Sequence, residues 1–247
     1  MSHASAPTPL VTPGGDDVVS SQLPYQARVA IDHLMRAEQR PGIGIFDPED
    51  APPATTTYQH IRRVVDTVVS ALALVVLALP MAAIAVAVRL DSEGPALFRQ
   101  ARVGYLGKTF FIVKFRTMTI DAPHFSAKMS DAHAHVTSVG RILRVTGLDE
   151  LPQLWNVLRG EMALIGPRPE QLGLIVHYTP EQMKRHLVRP GITGWWQVHH
   201  RDTEAMRGNI EKDLYYIEKQ SPILDAIVIG KTVSILVRAG LALLTRE

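Results

Sequence analysis

At 247 residues, with 26 Lys and Arg against 24 Asp and Glu and a formal net charge of +2, the chain has room for one sizeable domain plus appendages. No global basic field of the kind nucleic acid requires is present. Cysteine is absent, which excludes disulfides and thiolate metal sites.

Residues 1–58 are rich in Pro, Ala, Ser, Thr and Asp and lack periodicity apart from a weak helical signal over Tyr25–Arg40. A stretch this poor in apolar residues buries too little surface to offset its ordering entropy, so a mostly disordered arm is expected. It also lacks the basic start and apolar core of a secretory signal.

Val64–Leu90 follows, and from Val68 to Val88 it carries no charge, Ser70 being its one polar residue. A run of that length can cross a hydrocarbon layer of roughly 30 Å. Pro80 lies inside it, where it removes a backbone donor and collides with the preceding turn, so a kink or break is expected there. Basic residues flank both ends, Arg62 and Arg63 before and Arg89 after, and the positive-inside tendency would keep both flanks cytoplasmic. A helix that enters, breaks at Pro80 and returns satisfies both facts; a straight span with a tolerated proline is the competing reading.

Residues 94–120 hold Arg99, Arg102, Lys108, Lys114 and Arg116 and no acid, a block suited to phosphates or an anionic lipid surface, or else a solvated face. Within it, two β-rich runs around Gly104-Tyr105-Leu106-Gly107 predict a hairpin. The period of two puts Phe111, Val113 and Phe115 on one face and Lys114 and Arg116 on the other. Residues 121–138 read as loop, and His124, His133 and His135 there lack partners at ligand spacing and are taken as surface residues.

GLDELPQ, residues 147–153, places Asp149 and Glu150 side by side before Leu151, Leu154, Trp155 and Leu158, which share a helical face that Gly160 can close. Pro152 fits only a first turn, so Asp149 is expected near the N-cap and Glu150 in the first turn. Two readings stay open at this point. Acids are favoured at that end on structural grounds alone. The same donors would also keep a carboxylate ionised as a nucleophile, with its neighbour available to Mg²⁺. Gly166-Pro167-Arg168-Pro169 makes a stiff turn presenting one guanidinium, suited to bidentate phosphate recognition. Trp195 and Trp196 can serve as core, as a stacking platform or as interfacial anchors, with core expected for at least one. Nothing around His199 and His200 singles them out. A long apolar helix starts near Pro222; Asp225 and Lys231 make it a poor spanning candidate, so packing on the domain or lying in the interface plane is expected.

The ordered motifs RRVVD with the Pro-interrupted helix, GPALFRQARVG, GKTFFIVKFRTM, RILRVTGLDELPQLWNVLRGEMALIGPRPE, RPGITGWWQV and DLYYIEKQSPILD resemble those of the bacterial sugar transferases, the monotopic phosphoglycosyl transferases, over Arg62–Val237. The resemblance implies an α+β, mainly helical fold. A disordered extension (1–58) and a re-entrant membrane helix broken at Pro80 (59–92) would precede a cytosolic catalytic domain (93–247) with a β-hairpin and amphipathic interfacial helices. It implies transfer of a sugar-1-phosphate from a UDP-sugar to polyprenyl (undecaprenyl) phosphate at the cytoplasmic face of the inner membrane, with UMP released, initiating glycoconjugate or exopolysaccharide assembly. Asp149 would be the nucleophile forming an aspartyl-phosphosugar, and Mg²⁺ would be held through Glu150 with Asp149. Arg168 and Pro169 would contact the nucleotide sugar, Arg141 and Arg144 the lipid phosphate, and Lys114 and Arg116 other phosphates. UDP-sugar, polyprenyl phosphate and membrane lipids are the implied partners; nucleic acid is not, and a homodimer is left open. The chain departs from the family pattern at Gly147, Thr117, Ala163 and His199-His200-Arg201, none of which removes a proposed catalytic group. A membrane-bound nucleotide-sugar pyrophosphatase and a non-catalytic membrane scaffold are the alternatives.

Overall fold

The computed structural model describes residues 56–122, 135–175, 178–200 and 210–245. The arm up to residue 55, with its helical signal, and His124, His133 and Arg201 lie outside the described residues. Within them the fold is mixed, mainly helical with two small sheets, as expected.

Helix α1 (Thr56–Val76) and helix α2 (Ala78–Asp91) meet at Leu77, where the axis bends by 63°. The break falls ahead of Pro80 for a local reason. Pro80 cannot donate to the Val76 carbonyl, and its ring collides with that group, so the preceding turn gives way. Leu77 takes φ −89 and ψ 1, and Pro80 then sits in the first turn of α2, where a missing donor costs nothing. Among the described residues no single helix is long and apolar enough to cross a membrane; only this bent pair passes on length and composition. Its outward surface is apolar, with Val68, Leu72, Val75, Val76, Leu79 and Val86 exposed.

The N-terminal half of α1 is stitched to the body. Arg63 donates to the carbonyls of Val157 (2.5 Å) and Leu158 (2.9 Å), and the Leu164 amide donates to Asp66 Oδ1 at 3.3 Å. Arg62 donates to the Ile165 carbonyl and pairs with Asp225 at 3.5 Å. Both arginines, read from sequence as a cationic flank, therefore hold the protein together.

The hairpin forms as the alternation predicts. Strand β1 (Leu97–Val103) pairs antiparallel with β2 (Thr109–Phe115), from Leu97 opposite Phe115 to Val103 opposite Thr109. The turn needs left-handed backbone, which Gly107 (φ 71) adopts freely and Leu106 (φ 54) at some cost. Phe111 is exposed, however, while Phe110 and Ile112 on the Lys114 face are buried, so both faces of the hairpin are covered in part. The open edge of β2 is closed by Asn156, which accepts from the Val113 amide (3.1 Å) and donates to the Phe111 carbonyl (2.8 Å).

Helix α3 (Ser138–Thr146) is capped by Thr137, whose hydroxyl accepts from the Gly140 amide, and it ends at Gly147 with φ 72. A tight turn, Leu148–Glu150, leads to α4 (Gln153–Arg159), closed by Gly160 at φ 82. Strand β3 (Ala163–Ile165) pairs in parallel with β5 (Gly191–Thr193), and between them β4 (Glu170–Gln171) adds to the free edge of β1. Short helices α5 (Leu172–Ile175), α6 (Pro180–Met183) and α7 (Gln197–His200) lead to α8 (Ile210–Glu218) and α9 (Pro222–Leu244). Ser221 caps α9 and Pro222 opens it, matching the start read from sequence. Trp196 is buried, as expected for one of the pair, and Val228, Leu224 and Tyr216 pack against Ile165 beneath the parallel strands.

Candidate active site around Asp149 and Glu150

Asp149 and Glu150 occupy the tight turn between α3 and α4, and not the N-cap of α4 as the sequence suggested. The left-handed residue Gly147 reverses the chain, Pro152 delays the first helical donor, and α4 begins only at Gln153. Glycine at 147 is accounted for by that conformation.

Asp149 is 7 % exposed, and its Oδ1 is buried without a hydrogen-bond partner. Burial pushes its carboxyl above the usual carboxylate range and Glu150 adds to the rise, while Lys114, Arg168 and Arg144 pull it back down. Support for the ionised form thus comes from three cationic side chains and not from helix-end amides.

Each cation arrives from a different element. Arg168, in the turn between β3 and β4, donates to Glu150 Oε1 at 3.1 Å. Lys114, from β2, is pushed down to about 8, first by burial and then by Arg168 and Arg102, with Glu150 and Asp149 opposing. Arg144, from α3, donates through Nε to the Thr117 hydroxyl at 2.9 Å, so threonine here supplies a hydroxyl to the site wall. Pro169 lines a small cavity with Lys114, Glu150, Gln153 and Arg168. Arg141 lies one turn before Arg144 on α3 and is exposed.

Arg116 is placed elsewhere. It donates to the carbonyls of Glu93, Ser92 (2.8 Å) and Gly94 (3.4 Å), closing the C-terminal end of α2, where a cation meets unpaired carbonyls. Period-two reasoning put it on the Lys114 face but could not see which backbone lay there.

Three features go beyond the site residues assigned from the sequence, where Arg102 stands only within the basic block. Arg102 lines the same cavity, donating to Gln100 (2.7 Å) and to the Pro169 carbonyl (3.3 Å), and burial and Arg168 push it down to about 10. The hairpin register would have found it, since Arg102 and Lys114 share a face. Arg185, wholly buried, joins Glu170 (2.8 Å), Asp213 (2.6 Å) and the Arg168 carbonyl (2.9 Å), locking the turn that carries Arg168. His199 accepts from Lys231 at 2.5 Å on Nε2, which leaves Nδ1 to donate to the Trp195 carbonyl at 2.7 Å.

The donor set at the turn fits a hard cation: an unpartnered buried carboxylate oxygen on Asp149 beside a second carboxylate on Glu150. Among the described residues no group of three or more His, Asp and Glu forms a full cage, so further ligands would have to be phosphate oxygens or water. His135 lies 3.8 Å from Asp121 and takes no part.

The sequence profile described as "Bacterial sugar transferase" matches residues 57–239. The chain is 39 % identical over 213 residues to the UDP-N-acetylgalactosamine-undecaprenyl-phosphate N-acetylgalactosaminephosphotransferase of Aeromonas hydrophila, covering 83 % of this chain and 48 % of that protein. It is 42 % identical over 182 residues to the UDP-glucose:undecaprenyl-phosphate glucose-1-phosphate transferase of Caulobacter vibrioides, covering 70 % and 68 %. The exopolysaccharide production protein PSS of Rhizobium leguminosarum bv. phaseoli is 39 % identical over 193 residues, covering 72 % and 96 %. The chain thus spans about half the length of the Aeromonas relative and the matched length of the Rhizobium one almost entirely. Profile and relatives overlap the bent helix pair and the carboxylate turn alike, and the chain belongs to the bacterial sugar transferase family.

Proposed function

We propose that the protein is a phosphoglycosyl transferase that moves a sugar-1-phosphate from a UDP-sugar to polyprenyl phosphate, undecaprenyl phosphate in particular, with release of UMP. The observation that carries this reading is the buried, unpartnered Oδ1 of Asp149, held against Lys114, Arg168 and Arg144 beside a bent apolar helix pair. A carboxylate set among cations can attack a phosphoanhydride, because those cations also neutralise the phosphates it must approach.

In the first step Asp149 Oδ1 attacks the β-phosphorus. The bond from that phosphorus to the bridging oxygen breaks, and the electron pair leaves on UMP, whose phosphate needs no proton. In the second step an oxygen of the lipid phosphate attacks the same phosphorus and the Asp149 carboxylate departs, regenerated. Arg168, locked by Arg185 and paired with Glu150, orients the diphosphate; Lys114 and Arg102 face it from the hairpin. Glu150, with the Asp149 oxygen that does not attack, would hold Mg²⁺, which would supply charge neutralisation on the pyrophosphate.

The bent pair α1–α2 is the proposed re-entrant anchor, entering and leaving at the cytoplasmic face of the inner membrane, where residues 93–247 meet a soluble donor and a lipid acceptor. Family membership and the relatives' names support the general reaction. The pyrophosphatase alternative predicts UMP and sugar phosphate without lipid. Purified protein given UDP-sugars with and without undecaprenyl phosphate separates the two. Asp149→Asn should abolish UMP release at unchanged membrane association, and turnover retained in that variant would refute the covalent role.

A further inference from the structure

An apolar groove of about 350 Å³ is lined in part by the carboxylate turn but by none of Arg102, Lys114, Arg144 or Arg168. Its walls include Val69 of α1, Leu151 after the turn, Ile192 of β5, Val198 of α7, and Val233 and Leu236 of α9. Glu150 is its one charged lining residue among the described residues. Two of its hydroxyls are spent internally, since Thr232 donates to the Val228 carbonyl (2.8 Å) and Thr193 then donates to Thr232 (2.8 Å). Gln197 also lines the groove, its Nε2 donating to the Ile192 carbonyl (2.9 Å) and its Oε1 left without a partner; apart from that acceptor and Glu150, the walls favour apolar occupants.

Its position is the informative part. Glu150 belongs to both compartments: its carboxylate receives Arg168 and its residue closes one end of the groove. Val69 lies in the uncharged run that α1 presents outward, and Ile229 and Val233 of α9 are more than half exposed. A molecule bridging the two compartments needs an anionic head for the cationic side and an unfunctionalised hydrocarbon for the other. We propose that this groove seats the first isoprene units of the polyprenyl phosphate acceptor, aiming its phosphate at Asp149. The proposal rests on the transferase reading and adds to it where the lipid lies. Moving hydrocarbon from bilayer to an apolar groove gains little hydrophobic free energy, because lipid tails are as apolar as the groove walls. The groove therefore acts by orientation, converting a lipid that diffuses in two dimensions into one whose head is aligned with the phosphorylated aspartate.

Two measurements on the full chain in phospholipid vesicles test this. A polyprenyl phosphate carrying a photoreactive diazirine in its second isoprene unit should label β5 and the Ile229–Leu236 stretch of α9, and unlabelled undecaprenyl phosphate should compete it away. Label confined to the outward residues of α1 and α2, or displaced equally by phosphatidylglycerol, overturns the assignment in favour of bulk lipid. Val233→Trp, which fills the groove, should slow transfer to undecaprenyl phosphate at least tenfold while exchange of radiolabelled UMP into the UDP-sugar, the lipid-free half-reaction, continues; undiminished transfer overturns the proposal. Absence of UMP exchange in the wild-type protein would instead refute the covalent intermediate, absence of transfer to undecaprenyl phosphate would refute the transferase reading, and the photolabelling would still decide the groove.

Discussion

Replacing Arg185 by Met probes how firmly the turn that carries Arg168 is held. The guanidinium is 0 % exposed and joins two carboxylates, Glu170 and Asp213, that are themselves 1 % and 3 % exposed. Methionine fills much of the volume but leaves both charges in the interior. Removing one partner of a buried ion pair costs about 3–5 kcal/mol, most of it the penalty of the charge left behind. With about 2–4 °C lost per kcal/mol in a chain of this size, Tm should fall by roughly 6–20 °C. The pH dependence has a definite sign. Burial already raises the Asp213 carboxyl and Arg185 pulls it down; without the arginine it rises further. A carboxyl whose folded pKa exceeds its unfolded value contributes less stability as pH increases, because the unfolded state releases the proton sooner. The deficit of Arg185→Met relative to wild type should therefore be smallest near pH 5 and largest near pH 8. Urea and thermal unfolding in detergent, followed by tryptophan fluorescence at both pH values, gives the answer. A loss under about 1 kcal/mol, or a larger deficit in acid than at pH 8, would refute the reasoning.

Three further outcomes are expected beside the Asp149→Asn result. Arg168→Lys keeps the charge but loses the planar fork, so KM for the UDP-sugar should rise about tenfold, about 1.4 kcal/mol, with the fold unchanged by circular dichroism. Chelation with EDTA should stop turnover and added Mg²⁺ restore it; activity that survives chelation would remove the metal from the scheme. Because the chain has no native cysteine, His60→Cys and Glu93→Cys give clean single labels, and a membrane-impermeant maleimide should reach both from the same side of inverted vesicles. Opposite sides would mean that α1–α2 crosses.

How much of this was legible beforehand depended on the range over which each feature is determined. The hairpin is a local matter of alternation and a Gly-bounded turn, and the period of two foretold it closely. The acidic pair was visible as a motif, but its conformation was not: a helix start and a tight turn differ by the left-handed backbone of Gly147, which spacing does not reveal. The break in the apolar run was expected at Pro80 and occurs at Leu77, because the residue that cannot be accommodated is the carbonyl partner four positions earlier. Assignments to individual cations fared unevenly. Lys114, Arg144 and Arg168 converge on Asp149, whereas Arg116 closes a helix end 22–24 residues earlier in the chain. Nothing in the sequence marked Arg185, because its role exists only once the turn Lys184–Leu187 that carries it has met β4 and α8; burial of a paired charge is a property of the assembled interior and leaves no periodic trace.

The stitching of α1 to the body through Arg62, Arg63 and Asp66 ties the apolar rod to α4, which the Asp149 turn precedes, and to β3, which the Arg168 turn follows. A helix advances about 1.5 Å and turns about 100° per residue, so the single position between Asp66 and Val68, Thr67, acts as a depth gauge. Lengthening that interval by a single residue would shift Asp149 relative to the rod by less than the width of a water molecule yet swing the greasy side of the rod by more than a quarter of a circle. Insertions there should be penalised for their angle, and whole-turn changes tolerated better than single steps.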